Sequence, residues 1–384
     1  MIKSVVALSE EENSYEAGKE AAEEASIILK READLFIVFA SSSHDQEKVL
    51  AGVSRFSGKA IVVGCSDAGE IIGTEERVYR GSVAVMALQM DGVKVTAHKV
   101  SGVKKDSYAA GKKLAQKIKK KPSLMIVFSD GLMENGAALL RGIHDVLGED
   151  LPVMGGSAGD DFNFEKTYQY YKGKVFSGSV VALSLEGDFS FGMGAKHGWE
   201  AVSLPMTVTK SEGSVVKEID NKPALSLYED YFEKYSEELA RGVLAKTIYT
   251  YPLGVVTEKG FLLRELLMAN KEGEITFMAD IPKESQVRLM IGNRKKIIAA
   301  AEVAAKEAIK SVKIPKAVIV FNCIGRSKIL GLDKKKEINS VRKVVGDNVP
   351  LIGFYTYGEI GPFEKKGDKS VFHNETINLL VLGD

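Results

Sequence analysis

The sequence predicts a mixed α/β fold: two domains of mixed sheets faced by helices, built from recurring β-α-β-β units. Three observations predict it. First, the apolar runs LFIVFASSS (35–43), LMIVFSDG (124–131) and AVIVFNCIG (317–325) each break into small polar residues. Second, each is followed by a segment of helical character and then a short apolar stretch with a Gly-rich exit: VVGCSDAGEI (62–71), VMGGSAGDDF (153–162) and LIGFYTYGEI (351–360). Third, another apolar strand closes each unit: GSVAVMAL (81–88), GSVVALSL (178–185) and NETINLLVL (374–382). A helical crossover makes the first two strands of a unit parallel, and return through a loop makes the last one antiparallel.

Taken in order, Tyr15–Lys30 is Ala- and Glu-rich and reads as a helix before the first unit. Gln46–Phe56 is the first crossover helix. Val93–Val100 alternates as a strand, and Ser107–Lys120 reads as the helix preceding the second unit. Asn135–Leu147 is the second crossover. TYQYYKGKVFSGSVV reads as a hairpin turning at Lys172–Gly173, and FSFGMGAKHGWEAV as a strand. Two short strands then lead to Asp220–Asn221, with Pro223 in the first turn of an acidic helix over about 225–240. Arg294–Lys310 precedes the third unit as Ser107–Lys120 precedes the second, and Lys334–Val345 is the third crossover. The expected division is 1–205, with two units, and 206–384, with the third.

Composition narrows the function. The 384 residues carry 52 Lys+Arg and 52 Asp+Glu, so no net charge favours nucleic acid or an anionic membrane. No apolar run approaches the roughly 18 residues of a membrane span, and the N-terminus lacks a signal-peptide pattern. Cys65 and Cys323 are the two cysteines, far apart and outside zinc-type spacing, as in a reduced cytoplasmic protein. No GxGxxG or GxxxxGK[ST] follows a strand, so no nucleotide cofactor is expected, nor any other cofactor.

Loops leaving the carboxyl ends of parallel strands gather on one edge, where open α/β sheets bind ligands. That edge collects Cys65 and Ser66 from the first unit, Ser157 from the second, and Cys323, Arg326, Tyr355, Tyr357 and Glu359 from the third. Asp67 and Glu70 flank Cys65 and raise its thiol pKa, against a nucleophile. Asp130, Asp160 and Asp161 read as solvated loop acids or as caps for backbone N–H groups rather than metal ligands, and His144 and His197 as isolated core or surface residues. In GFYTYGEIGP an extended chain puts Tyr355 and Tyr357 on one side, Phe354 and Thr356 on the other. Glu359 is suited to a ligand ammonium, and Arg326 to a ligand carboxylate, with Glu359 as its orienting partner. Asn374 and Thr376 either hold a ligand or satisfy nearby backbone groups, and His373 is exposed or partly packed.

The ordered set GCSDAGEI, FSDG, GGSAGDD, YPLG (251–254), NCIGR (322–326), GFYTYGEIGP (353–362) and HNETINLLVL (373–382) resembles the FIST family, its N-terminal and C-terminal domain pair together, across essentially the whole chain. The resemblance implies a sensory domain of signal transduction that binds small ligands such as amino acids. It supports Cys323 and Arg326 in NCIGR as site residues. No room remains here for an attached output module, so a stand-alone copy is expected. The expected function is a cytoplasmic small-molecule sensor with an unidentified signalling partner. The alternatives are a small-metabolite enzyme using Cys65 or Cys323 as nucleophile, and a ligand-free interaction scaffold.

Overall fold

The computed structural model describes residues 1–73, 81–232 and 251–384. The first unit opens with β1 (Ile2–Ser9) and α1 (Ser14–Leu29) and continues through β2 (Leu35–Ser41), α2 (Gln46–Val53), β3 (Ile61–Asp67), β4 (Glu70–Ile72) and β5 (Val83–Met90). The second opens with β6 (Val93–Ser101) and α3 (Ser107–Gln116). It continues through β7 (Leu124–Ser129), α4 (Gly136–Leu147), β8 (Val153–Ser157), the hairpin β9 (Gln169–Tyr171) and β10 (Lys174–Phe176), and β11 (Ser179–Gly187). The third opens with β12 (Ser190–Lys196) and is then interrupted. The interruption holds β13 (Trp199–Ala201), β14 (Met206–Glu212), β15 (Val215–Ile219), β16 (Lys222–Pro223), α5 (Ser226–Tyr231), β17 (Leu253–Thr257), β18 (Gly260–Arg264), β19 (Leu266–Ala269), β20 (Ile275–Phe277) and β21 (Gln286–Gly292). The unit resumes with α6 (Arg294–Ile309), β22 (Pro315–Cys323), α7 (Ile324–Leu330), α8 (Lys334–Val345), β23 (Leu351–Thr356), β24 (Glu359–Pro362), β25 (Ser370–His373) and β26 (Ile377–Gly383).

The mixed α/β class holds, and so do the expected strand directions. β2–β3, β7–β8 and β22–β23 are parallel, whereas β5, β11 and β26 run antiparallel to the first strand of their unit. Helices start where an Asn or Asp can accept the free N–H groups of the first turn: Asn13, Asp45, Asp106, Asn135 and Asn293 all do so. Lys172 and Gly173 both have positive φ, which makes the expected hairpin turn.

The sheets are completed by exchange. β4 leaves the first unit and pairs with β23 of the third; β24 leaves the third and pairs with β8 of the second; β9 leaves the second and pairs with β3 of the first. Each sheet therefore reads edge strand, third, first, second, guest, with β1, β6 and β12 as the edges next to β5, β11 and β26. The inner faces share one apolar core. Phe39, Phe128 and Phe321, the equivalent first-strand residues, meet there with Phe354, ring centroids 4.4 to 6.3 Å apart. The outer faces are covered by the helix pairs α1–α2, α3–α4 and α6–α8.

The repeated glycine of each exit has a steric cause. A Cβ at Gly64, Gly155 or Gly353 would lie 1.8, 2.1 or 2.5 Å from the carbonyl oxygen of Val38, Val127 or Val320 on the neighbouring parallel strand. Among the described residues, the segment 199–292 builds its own nine-stranded sheet, inserted between β12 and α6 of the third unit. There the expected helix over 225–240 is corrected. Pro223 lies in β16 opposite Glu218, helix α5 covers only Ser226–Tyr231, and 233–240 lies outside the described residues. Pairing with β15 holds the chain extended through Pro223, so the helix cannot begin there.

Candidate functional site

The exits expected to form a ligand edge are instead occupied by one another. Tyr355 N–H donates to Gly69 O at 2.9 Å, Gly159 N–H to Ser66 O at 3.1 Å, and Ser157 N–H to Gly358 O at 2.8 Å. Ser66 Oγ donates to Gly159 O at 2.8 Å and accepts from Tyr168 N at 2.9 Å, and Ser157 Oγ meets Ser129 Oγ at 3.1 Å. Tyr357 packs away from Phe354, as alternation requires. Its hydroxyl donates to Asp160 at 2.5 Å and accepts from Phe162 N at 2.7 Å. Asp160 caps the backbone N–H groups of Phe164, Glu165 and Lys166, and Asp130 those of Leu132 and Gly178. Cys65 is buried in the shared core, its thiol pushed up by burial and by Asp67. Tyr355 is buried against the helical layer of the third unit. These contacts hold the three units together.

Arg326 is fully buried, and the partner expected for it is corrected. Its guanidinium pairs with Glu337, not Glu359: Nη2 and Nε reach Glu337 Oε1 at 2.6 and 2.9 Å. The remaining donors serve backbone carbonyls: Nη1 bonds His197 O and Glu375 O, the latter at 3.1 Å, and Nη2 bonds Ile297 O at 3.0 Å. Glu337 also accepts from Asn322 Nδ2 at 2.7 Å. Arg326 thus ties the end of β12, helix α6 and the turn before β26 into one wall, and its fork is spent on that task.

That wall bounds a cavity of about 360 Å³, lined by Lys196, His197, Lys259, Phe261, His373 and Thr376 among others. The β17–β18 hairpin supplies Lys259, Gly260, Phe261 and Leu263, α6 supplies Ala300 and Val303, and the chain just after β24 supplies Phe363 and Glu364. Gly198 makes the turn after β12 possible: its φ is +89°, and a Cβ there would sit 2.8 Å from the Ile297 backbone. His373 is buried, not exposed, and its Nε2 contacts Pro362 O at 2.9 Å. Burial holds both His197 and His373 down at about 4, so they are neutral at pH 7; Arg326 adds to this at His197 and Arg264 at His373. The rim offers both signs of charge through the pairs Lys196–Glu364 and Lys259–Asp368.

Behind Thr376 lies a buried acidic cluster. Glu359 accepts from Thr356 Oγ1, and from Thr376 Oγ1 and N at 2.8 and 3.2 Å. Burial raises it to about 7, opposed by these hydrogen bonds and by Arg326. Asn374 Oδ1 accepts from Glu265 N at 3.4 Å. Glu265, Cys323 and Glu375 bring their ligating atoms within 4.8 Å of one another. Burial, then the neighbouring carboxylates, push all three up.

None of the nine residues singled out from the sequence lines the cavity, but the turn after Asn374 does through Thr376, which binds Glu359. Sequence reasoning missed Lys196, Lys259 and Phe261, which belong to no motif. His197 was within reach as a histidine beside Gly198, at the end of an apolar strand.

A FIST N domain matches residues 34–222 and a FIST C domain matches residues 224–362. The chain belongs to the FIST family. It is 30% identical over 281 residues to an uncharacterized protein of Methanocaldococcus jannaschii, covering 66% of this chain and 53% of that one. The chain thus spans about half the length of that relative. It is also 24% identical over 351 residues to an uncharacterized protein of Mycobacterium tuberculosis, covering 85% of this chain and 86% of the relative. Among the described residues no helix is long and apolar enough to cross a membrane.

Proposed function

We propose that this chain is a cytoplasmic sensor whose ligand, an amino acid or a zwitterionic metabolite of similar size, binds in the cavity between β12, the β17–β18 hairpin and the turn before β26. The observation that carries the reading is the cavity itself. At about 360 Å³ it is in the size range of small-molecule sites, and both signs of charge stand at its rim. Its neutral histidines offer hydrogen bonds without a net charge of their own. Membership in a family of sensory domains supports the same reading.

The cavity joins elements that are distant in sequence. A ligand touching the hairpin and the third unit together favours one arrangement of the inserted sheet against the core, and a signalling partner reads that arrangement. Arg326 and Glu359 act as positioning residues, Arg326 through His197 and Glu375, Glu359 through Thr376. The cysteine-nucleophile alternative draws no support, since both thiols are buried and pushed up, opposite to a reactive thiolate.

The test is a thermal-shift screen against amino acids and common metabolites. A ligand at 100 times its Kd adds about 2.7 kcal/mol. The shift should shrink in Lys259→Ala, an exposed position whose loss leaves the core intact. A library without a stabilising compound would contradict the sensor reading.

A further inference from the structure

Glu375 is fully buried, yet among the described residues neither of its carboxylate oxygens has a hydrogen-bond partner. An orphaned carboxylate in the interior costs several kcal/mol whether it is charged or protonated, unless something pairs with it. Its backbone is anchored: φ is +62°, and the Glu375 carbonyl accepts from Arg326. Its side chain lies against Gly325, where a Cβ would come within 2.3 Å of Oε1. Gly325 therefore leaves space that the carboxylate fills. The neighbouring cation, Arg326, is committed to Glu337. What does stand close is Cys323 Sγ and the Glu265 carboxylate, within 4.8 Å of one another and of Glu375.

We propose that Glu265, Cys323 and Glu375 form a binding site for a divalent transition-metal ion, zinc in the first instance. One thiolate and two carboxylates suit zinc, whose Zn–S and Zn–O distances of about 2.3 and 2.0–2.2 Å would draw the three ligand atoms in from their observed spread of up to 4.8 Å. The sulfur selects against magnesium and calcium, which prefer oxygen alone. The fold brings the three together from separate places: Cys323 ends β22, Glu375 sits in the turn before β26, and Glu265 follows β18 in the inserted sheet. A bound ion therefore links the inserted sheet to the third unit. Three protein ligands leave a fourth position for water or another small donor. Of the three residues, Glu265 is the one that is partly exposed. This proposal stands apart from the amino-acid reading, because its probe is the metal alone.

The experiment titrates chelator-stripped, tag-free protein with CoCl₂ and then ZnCl₂. The expected result is one cobalt per chain with a near-ultraviolet thiolate-to-cobalt charge-transfer band, which zinc abolishes. Cys323→Ser removes the band and Cys65→Ser leaves it. Glu265→Gln, at the partly exposed ligand, weakens binding by more than about tenfold without threatening the fold. Absence of the band in the wild-type protein overturns the proposal. So does a band that survives Cys323→Ser, or a Glu265→Gln variant that binds cobalt as the wild type does.

Discussion

Removing the Glu337 carboxylate should destabilise this protein far more than removal of any surface charge. In Glu337→Ala the Arg326 guanidinium, fully buried, loses two short contacts at 2.6 and 2.9 Å and keeps its charge. Stranding one member of a buried pair costs about 3–5 kcal/mol. Asn322 Nδ2 loses its acceptor as well, adding about 1 kcal/mol. The carbonyls of His197, Ile297 and Glu375 still hold the guanidinium, which argues for the lower half of the range. A loss of about 4 kcal/mol is a large share of the 5–15 kcal/mol typical of a folded domain. The assay is urea unfolding followed by circular dichroism, for wild type, Glu337→Ala, Arg326→Met and the Arg326→Met/Glu337→Leu double variant. The double variant should cost clearly less than the two single changes added together, because it leaves neither charge unpaired. A Glu337→Ala loss below about 1 kcal/mol would put the pair in the range of an exposed one and contradict its buried role.

Glu70 is buried and raised to about 7, mainly by burial, from an ordinary 4.5. Below about pH 7 the native state therefore holds its proton. The associated stability is present below the unfolded value and is lost as pH rises through about 7. Glu70→Gln, which still offers Ser82 Oγ an acceptor, should match wild type at pH 5 and exceed it at pH 8 by about 2–3 kcal/mol. Urea midpoints at the two pH values check this, and an equal gap at both contradicts it. Gly111→Ala should lower the melting temperature. A Cβ there would lie 2.1 Å from Leu139 O, and forcing α3 and α4 apart costs about 1–3 kcal/mol against a propensity gain of about 1. A rise in the melting temperature would contradict the close crossing.

The repeated unit was legible because its signals are local. Phe39, Phe128 and Phe321 close equivalent apolar runs, and each run meets a crossover and a glycine that a parallel neighbour demands. Strand directions and the Lys172–Gly173 turn follow from those signals. The exchange of β4, β9 and β24 was not legible, since strands of three or four residues carry no periodicity and their partners lie in other units. For the same reason the exits read as an open edge rather than as seams. β12 belongs to the third unit, but the inserted sheet separates it from α6, so no local pattern links them. Glu337 stands in the Lys-rich start of α8 and looks like one more solvated charge until Arg326 is placed beside it. Of the cavity, the turn around Asn374 and His197 were within reach, whereas Lys196, Lys259 and Phe261 become neighbours only when the hairpin folds against β12.

The proposed binding of a small zwitterion in the cavity beside β12 and the β17–β18 hairpin can be measured outright. The most direct test is isothermal titration of the best amino-acid hit into wild type and Val303→Trp. Val303 stands on α6 at the cavity, 41% exposed, so an indole there fills the space from outside without disturbing the core. The expected result is one site per chain in the wild type and loss of binding by more than about tenfold in Val303→Trp, with both proteins equally stable without ligand. Equal affinity in the two would contradict it and remove the cavity as the site.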